Sequence, residues 1–364
     1  MDATFEQARQ FFLQGLGHYQ AGRFEAAERD FAASLALVPG RASILVNLGA
    51  TWLKLGKFQR AADLLQEALA QQPDDAQALG HRAAALAELG RPGAALDCAE
   101  RALVLDPAAA PVWTLRGALL RDLGRTDEAA AAFEQAIARG ADVELNRYYL
   151  AGLKGGEAPV SAPRQYVQSL FDGYADDFEE HLVDRLNYRA PRVLVAELER
   201  RQRRFACALD MGCGTGLCGS LLRPLAEELH GVDLSGNMVE RAQARGAYDS
   251  VTQADLVQYL AGAARRFDLV VAADVFIYVG TLQAVFAGVA QVMPAAGVFC
   301  FSLEACDEGV EFTLRPSLRY AHSFGYIQKL AEQYGFEIGA TAGGSIRDDQ
   351  GKPIPGLFAW LVKC

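Results

Sequence analysis

The residues best placed by type and spacing to do chemistry lie in the glycine-rich stretch LDMGCGTGLCGS at 209–220. Glycines allow positive φ angles and let a ligand approach the backbone, so the stretch predicts a cofactor-binding turn between a strand and a helix. From Gly214 to Gly219 it fits G-x-G-x-x-G, which binds the pyrophosphate of a dinucleotide at a helix N-terminus. From Asp210 it also fits D-x-G-x-G-x-G, which sets a carboxylate beside the ligand and suits a cation.

Three later segments help to decide between a dinucleotide and a cofactor that carries a positive charge. VDLSGNM places Asp233 where a carboxylate can bind both ribose hydroxyls with either cofactor, QADL places Asp255 after a third apolar run, and DLVVAADVFIYVG spans 268–280. Taken in order after D-x-G-x-G-x-G, these segments resemble the cofactor motifs of class I methyltransferases, which use S-adenosylmethionine (SAM). The alternatives are a SAM-binding scaffold without turnover and, least favoured, an NAD-dependent oxidoreductase.

The resemblance implies a role for each matching residue. Asp210 would lie near the ammonium and sulfonium groups of SAM, Asp233 would bind the ribose, Asp255 would face the adenine amino group, and Met238 would pack on the adenine ring. No metal ion is implied. The full set of SAM contacts implied in and around these motifs is Asp210, Gly212, Cys213, Gly214, Gly216, Asp233, Leu234, Met238, Asp255, Leu256 and Ala273.

The segment LFDGYADDFEEHL at 170–182 resembles a helix that covers the cofactor in many small-molecule methyltransferases. The resemblance implies that Tyr174 and Phe178 close over SAM. Tyr174 is also a candidate catalytic residue, and His181 on the same segment is a weaker candidate for a general base.

The segment 318–336 supplies the best candidate for a general base, His322, which we expect to lead a helix. Arg319 and Tyr320 beside it could orient an anionic substrate. Arg189 and Tyr278 complete the candidate substrate contacts. Arg189 belongs to LNYRAP, which resembles a segment of a bacterial group of repeat-bearing predicted methyltransferases.

The first part of the chain is an internal repeat with a period of 34 residues. Three sets of residues follow this spacing: Pro39, Pro73 and Pro107; Gly22, Gly56, Gly90 and Gly124; Ala27, Ala61, Ala95 and Ala129. The pattern predicts stacked helix pairs that bury their apolar faces against one another. It resembles the tetratricopeptide repeat (TPR). The resemblance implies a concave surface for a partner protein or peptide, or for a second copy of the chain in a homodimer.

Beyond the repeats, strand-length apolar runs alternate with helical stretches, which predicts a parallel sheet covered on both faces. The last two runs are separated by the polar segment 343–356, which we interpret as a loop joining an antiparallel hairpin. The predicted fold is a TPR α-superhelix followed by a Rossmann-like class I methyltransferase domain that ends in this hairpin. The expected bounds are 1–142 for four repeats, 143–165 for a capping helix and linker, and 166–364 for the methyltransferase domain.

Composition narrows the partners and the substrates. The net charge is −10, and residues 1–142 carry 14 Lys and Arg against 18 Asp and Glu, so a basic footprint for nucleic acid is missing. The segment 268–280 lacks D/N-P-P-Y/F, the pattern of nucleic-acid enzymes that methylate amino groups. It also lacks a Pro-Cys nucleophile, so methylation of cytosine C5 is not expected. Seven scattered cysteines without a C-x-x-C pair, and no long apolar run, predict a cytoplasmic protein without a membrane span. The expected acceptor is a small molecule or a protein- or carrier-bound substrate.

Overall fold

In the computed structural model the described residues are 3–155, 158–174, 188–349 and 352–364. The chain divides into two compact units, Met1–Leu153 and Lys154–Cys364. Among the described helices none is both long enough and apolar enough to cross a membrane.

Paired helices build the first unit. They are α1 (Ala3–Gln20), α2 (Phe24–Leu37), α3 (Ala42–Lys54), α4 (Phe58–Gln71), α5 (Ala76–Glu88), α6 (Pro92–Leu105), α7 (Ala110–Asp122) and α8 (Thr126–Ala138), followed by α9 (Val143–Lys154). The glycine between the two helices of each pair has a φ between 68° and 74°, which explains why the 34-residue period keeps a glycine there. Gly140, with a φ of 81°, follows α8 at the end of the fourth unit, where no proline stands.

A second set of glycines lets the two helices of a pair approach closely. A Cβ added at Gly15 would lie 2.8 Å from Cδ1 of Phe31, and one added at Gly117 would lie 2.5 Å from Cε1 of Phe133. The third unit has Ala83 in the register of these glycines, and Ala99 in the register of the two phenylalanines. The third unit therefore has a larger residue in place of the glycine and a smaller one in place of the phenylalanine.

We expect Gly117→Ala to lower the free energy of unfolding by about 1–2 kcal/mol, because overpacking against Phe133 outweighs the better helix propensity of alanine. Gly17→Ala is the matched control. Gly17 lies on an exposed part of α1 with no atom within 4 Å of an added Cβ, so this change should be neutral or stabilising. Urea unfolding of the full chain, followed by circular dichroism, measures both; equal effects would contradict this account of the packing.

A mixed sheet and its covering helices form the second unit. Its elements are α10 (Arg164–Tyr174), α11 (Ala190–Arg200), β1 (Phe205–Met211), α12 (Leu217–Leu222), β2 (Ala226–Asp233), α13 (Gly236–Ala244), β3 (Ser250–Gln253), α14 (Leu256–Gly262), β4 (Leu269–Ala272), α15 (Gln283–Val292), β5 (Val298–Ala305), β6 (Phe312–Leu314), β7 (Tyr320–His322), α16 (Phe324–Gln333), β8 (Phe336–Asp349) and β9 (Lys352–Lys363).

The strand order β3-β2-β1-β4-β5 is parallel throughout. The direction of winding changes between β1 and β4, and in such sheets ligands bind at the carboxyl ends of the strands beside that switch point. Next to β5 lies β9, which is antiparallel to both β5 and β8. The predicted class, helical repeats followed by a doubly wound sheet with a C-terminal antiparallel hairpin, is confirmed.

Two local predictions are wrong. The polar segment 343–356 is not a loop: β8 and β9 run through most of it, because its residues pair across the hairpin, as Gly343 does with Leu357. The strands β6 and β7 were missed because each has three residues. As a consequence His322 does not lead a helix; it ends β7, and Ser323 caps α16.

Candidate active site

The glycine-rich stretch forms a turn between the end of β1 and α12. Gly212, Gly214 and Gly216 have φ angles of 66°, 54° and 90°, which other residues rarely adopt. A Cβ added at Gly212 would lie 2.5 Å from Cγ2 of Val275, which follows β4. The turn is therefore pressed against the carboxyl end of the neighbouring strand, at the switch point of the sheet.

Asp210, at the end of β1, is a buried carboxylate with one oxygen in use. Oδ2 accepts a hydrogen bond of 2.6 Å from the hydroxyl of Tyr248, whereas Oδ1 has no partner among the described residues. Burial raises the pKa of Asp210 to about 7, against the opposing effect of the Tyr248 hydrogen bond. The buried hydroxyl of Thr215, in the same turn, is also without a described partner. An unsatisfied carboxylate oxygen in a glycine-lined turn fits a ligand that carries an ammonium group.

Asp210 makes the free energy of unfolding depend on pH. An unfolded aspartate has a pKa of about 3.9, so between about pH 4 and pH 7 the native state holds a proton that the unfolded state has lost. Stability therefore falls as the pH rises, by about 1.5 kcal/mol from about pH 5.5 to pH 7 for this group. We expect Asp210→Asn to remove this contribution to the pH dependence of the free energy of unfolding. Urea unfolding without SAM at the two pH values measures it, and identical pH dependence in both proteins would contradict the assignment.

Asp233 ties the end of β2 to the glycine-rich turn. Its Oδ2 accepts a hydrogen bond of 2.8 Å from Gly214 N–H, and its Oδ1 accepts one of 3.0 Å from Ser235 N–H. Burial raises the pKa of Asp233, and the same backbone hydrogen bonds oppose that rise. The carboxylate therefore lies at the rim of the turn, where the sequence places a ribose-binding acid.

The remaining predicted cofactor residues surround this pair. Asp255 follows β3 and caps α14, because its Oδ1 accepts hydrogen bonds from Val257 and Gln258 N–H, both of 3.0 Å. Ala254 N–H donates a hydrogen bond to the carbonyl of Asp233, which brings Asp255 close to the end of β2. Cys213 and Met238 are buried, and Leu234, Leu256 and Ala273 are half-buried. Burial also raises the pKa of the Cys213 thiol, so this thiol stays neutral.

Comparison with known proteins decides what this arrangement is. A family model for a methyltransferase domain matches residues 209–299, and a tetratricopeptide-repeat model matches residues 12–76, 51–110 and 81–144. The chain carries a methyltransferase domain. The repeats precede that domain, and the match confirms the predicted cofactor, SAM, over the dinucleotide.

Two curated relatives cover part of the methyltransferase domain. Human methyltransferase-like protein 27 is 40% identical over 92 residues, which are 24% of this chain and 37% of that protein. The malonyl-(acyl-carrier protein) O-methyltransferase of Enterobacter lignolyticus is 31% identical over 144 residues, 40% of this chain and 55% of that protein. The chain thus spans between about a third and about half of the length of these relatives.

A solved structure with a similar fold is magnesium protoporphyrin IX methyltransferase from Synechocystis PCC 6803 with bound SAM. The similarity has a TM-score of 0.44 at 19% identity, over 55% of this chain and 97% of that one.

Helix α10 contacts two segments that follow parallel strands of the sheet. The Asp172 carboxylate accepts a hydrogen bond of 2.5 Å from the Ser235 hydroxyl, and the ring of Phe171 meets the ring of Tyr278 edge-on at 5.5 Å. The helix therefore connects the end of β2 with the segment after β4. Its last residue is Tyr174, whose side chain lies outside the described residues, as do Phe178 and His181.

A buried ionic cluster, not anticipated from the sequence, lies at the carboxyl ends of β4 and β5. The guanidinium of Arg347 donates to the carboxylates of Asp274, at 2.5 Å to Oδ1, and of Glu304. Arg315 donates to the other oxygen of Glu304 at 2.7 Å. Asp274 has a φ of 61°, a conformation uncommon for a residue other than glycine, and the Ser302 hydroxyl accepts a hydrogen bond from its N–H. In the sequence, Arg347 lies in the segment 343–356, whose composition predicts a polar loop.

The residues predicted to contact the substrate differ in their burial and in their contacts. Tyr278 lies beside α10, and burial raises the pKa of Tyr278 to about 12, with the positive charge of Arg319 as the largest opposing effect. Arg189 is exposed, and the neighbouring Tyr188 instead points its hydroxyl to the carbonyl of Ala273 at 3.2 Å. Tyr320 is fully buried and donates its hydroxyl to the carbonyl of Pro159 at 2.8 Å, which gives this side chain a structural role.

His322 is buried in the domain as a neutral imidazole. Its Nε2 lies 2.9 Å from the carbonyl of Gly280, so Nε2 carries the proton and Nδ1 the lone pair, with no partner among the described residues. Its ring stacks on that of Tyr326 at 6.2 Å, and burial lowers the pKa of His322 to about 4. A base with this pKa holds a proton poorly at neutral pH.

Proposed function

We propose that the chain catalyses methyl transfer from SAM to an acidic acceptor group that is carried by a protein bound to the repeats. The observation that supports the cofactor half of the proposal is Asp210, whose buried Oδ1 has no partner among the described residues and can accept from a ligand's ammonium group. When bound, SAM supplies an activated methyl group on a sulfonium, so the chain has to align the acceptor and exclude water.

We assign the binding roles as follows. Asp210 holds the ammonium group, Asp233 the ribose hydroxyls, and Asp255 the adenine amino group, with Met238, Leu234 and Leu256 around the adenine. Helix α10 covers the cofactor. The proposed bounds are 1–142 for the repeats, 143–165 for a capping helix and linker, and 166–364 for the methyltransferase domain.

The acceptor half of the proposal rests on charge. Near the end of β4 the Tyr278 hydroxyl keeps its proton at neutral pH and can donate it in a hydrogen bond, and the positive charge of Arg319 acts on this hydroxyl. Such a setting favours an acceptor that bears a carboxylate.

A carboxylate acceptor also agrees with the state of His322. A carboxylate is already ionised at neutral pH, so its oxygen can displace the sulfonium methyl without a general base, and the sulfur leaves with the bonding electron pair. The carrier is suggested by the repeats, which serve protein interaction, and by the relative that is named as acting on a malonyl group on an acyl-carrier protein.

The test uses the full chain, SAM labelled on its methyl group and an extract of the source cells, with heat-inactivated protein as control. Label in the protein fraction that is released as methanol by mild base indicates a methyl ester on a protein-bound acid and supports the proposal. Base-stable label contradicts the acidic acceptor, and label among the small molecules contradicts the carrier. Absence of label while calorimetry shows SAM binding would favour a scaffold without turnover.

A further inference from the structure

The ring of Tyr248 lies in a slot lined by three glycines. A Cβ added at Gly219 would lie 2.2 Å from Cζ of this ring, one at Gly216 would lie 3.1 Å from Cε2, and one at Gly231 would lie 3.2 Å from Cε1. These glycines belong to α12, to the cofactor turn and to β2. Each of these three elements therefore has a glycine at the position where the Tyr248 ring packs against it.

The slot directs the Tyr248 hydroxyl at Asp210. The hydroxyl donates to Oδ2 at 2.6 Å, a charge-assisted hydrogen bond when the carboxylate is ionised. Asp210 pairs with Gly231 in the register of β1 and β2, so the carboxylate and the back of the slot share one level of the sheet. With Oδ2 engaged, Oδ1 is the oxygen that remains for a ligand.

We infer that Tyr248 is a positioning residue that favours the ionised form of the Asp210 carboxylate and orients it so that Oδ1 binds the ammonium group of SAM. The inference rests on the proposed function and extends it to a residue outside every cofactor motif. A phenylalanine would fill the slot equally well, so the hydroxyl is the part that the inference concerns. It also gives Gly219 a reason: this glycine admits the Tyr248 ring, and its match to the dinucleotide pattern is accidental.

The groups that face Asp210 leave Tyr248 as its main support. Asp233 from β2 is a negative charge that disfavours ionisation of Asp210. The other titratable neighbours are neutral at pH 7 because burial raises the pKa of each one: Cys213 in the turn, Cys218 in α12, Cys300 in β5 and Tyr188 before α11. Burial itself opposes the charge, and the Tyr248 hydrogen bond favours it.

The test compares the wild type with Tyr248→Phe by calorimetry, using two ligands. SAM carries the ammonium group, and 5′-methylthioadenosine has the adenosine part without it. We expect Tyr248→Phe to bind SAM about 10-fold more weakly at neutral pH and to bind 5′-methylthioadenosine as the wild type does. The pH midpoint above which SAM binds tightly should also move upward, because the carboxylate loses the donor that favours its charge.

Tyr326→Phe is the matched control, since it removes a buried hydroxyl that bonds to Gln283 and Leu282, away from Asp210. It should leave the affinity for SAM unchanged. If Tyr248→Phe lowers the affinity for both ligands equally, Tyr248 is a packing residue and the inference is overturned. The same holds if it lowers the affinity for SAM without shifting the pH midpoint of SAM binding. If the wild type binds no SAM, the proposed function fails instead.

Discussion

Replacing Asp233 by asparagine is expected to weaken SAM binding about 100-fold or more. The carboxylate already accepts hydrogen bonds from Gly214 and Ser235 N–H, and in the proposed complex it accepts two more from the ribose hydroxyls. An amide presents one oxygen and one donor nitrogen, so at least one of these partners meets a donor in place of an acceptor. Each lost hydrogen bond to a charged group is worth about 1.5–3 kcal/mol.

Calorimetric titration of SAM into the full chain measures this change, and Asp249→Asn is its control. The Asp249 carboxylate also accepts a backbone hydrogen bond, from Leu229 at 2.7 Å, and it pairs with Arg223, but it belongs to the turn before β3 and to no cofactor motif. We expect Asp249→Asn to lower stability and to leave SAM affinity unchanged. Wild-type affinity in Asp233→Asn would remove the ribose assignment and, with it, much of the proposed site.

The repeats are the part of the fold that the sequence predicted most fully, for a physical reason. The same local problem, a sharp turn with positive φ after the first helix of each pair, recurs every 34 residues and requires the same solution at Gly22 and Gly56. Even the exception in the third unit follows a rule visible in the sequence, since Ala83 and Ala99 replace a glycine and a phenylalanine together.

The positions of the acids proposed to bind the cofactor were predictable because each lies at the end of an apolar run that forms a parallel strand. Asp210 and Asp233 then lie at one edge of the sheet, whatever the details of packing. Tyr248 was not predictable in this way. It belongs to no motif, and it reaches Asp210 only because the glycines at 216, 219 and 231 create its slot in three dimensions.

The C-terminal hairpin shows where pattern reasoning failed. Its polar residues suggested a loop, yet backbone pairing between β8 and β9 extends through them and carries Arg347 into the interior. Such an arginine is tolerated there because Asp274 and Glu304, from distant parts of the chain, neutralise it. A contact of this kind depends on tertiary structure, so charge alone predicted exposure.

The same cluster predicts the largest loss of stability. We expect Arg347→Met to lower the free energy of unfolding by about 3–5 kcal/mol, because it leaves the Asp274 and Glu304 carboxylates buried without their common partner. Methionine keeps most of the volume, so the effect is mainly electrostatic. Urea unfolding of the full chain measures it, and Arg200→Met, whose side chain is 76% exposed, should change stability by less than about 0.5 kcal/mol.

A double variant separates charge from packing. Asp274→Asn removes one carboxylate while keeping a residue type that tolerates the positive φ of this position. If the cost of Arg347→Met arises from unpaired charge, the two changes together should destabilise the protein by at least about 1 kcal/mol less than the sum of the single effects. Additive effects would mean that Arg347 stabilises the ends of β4 and β5 by filling space, and its neighbours would then have no electrostatic reason to be acidic.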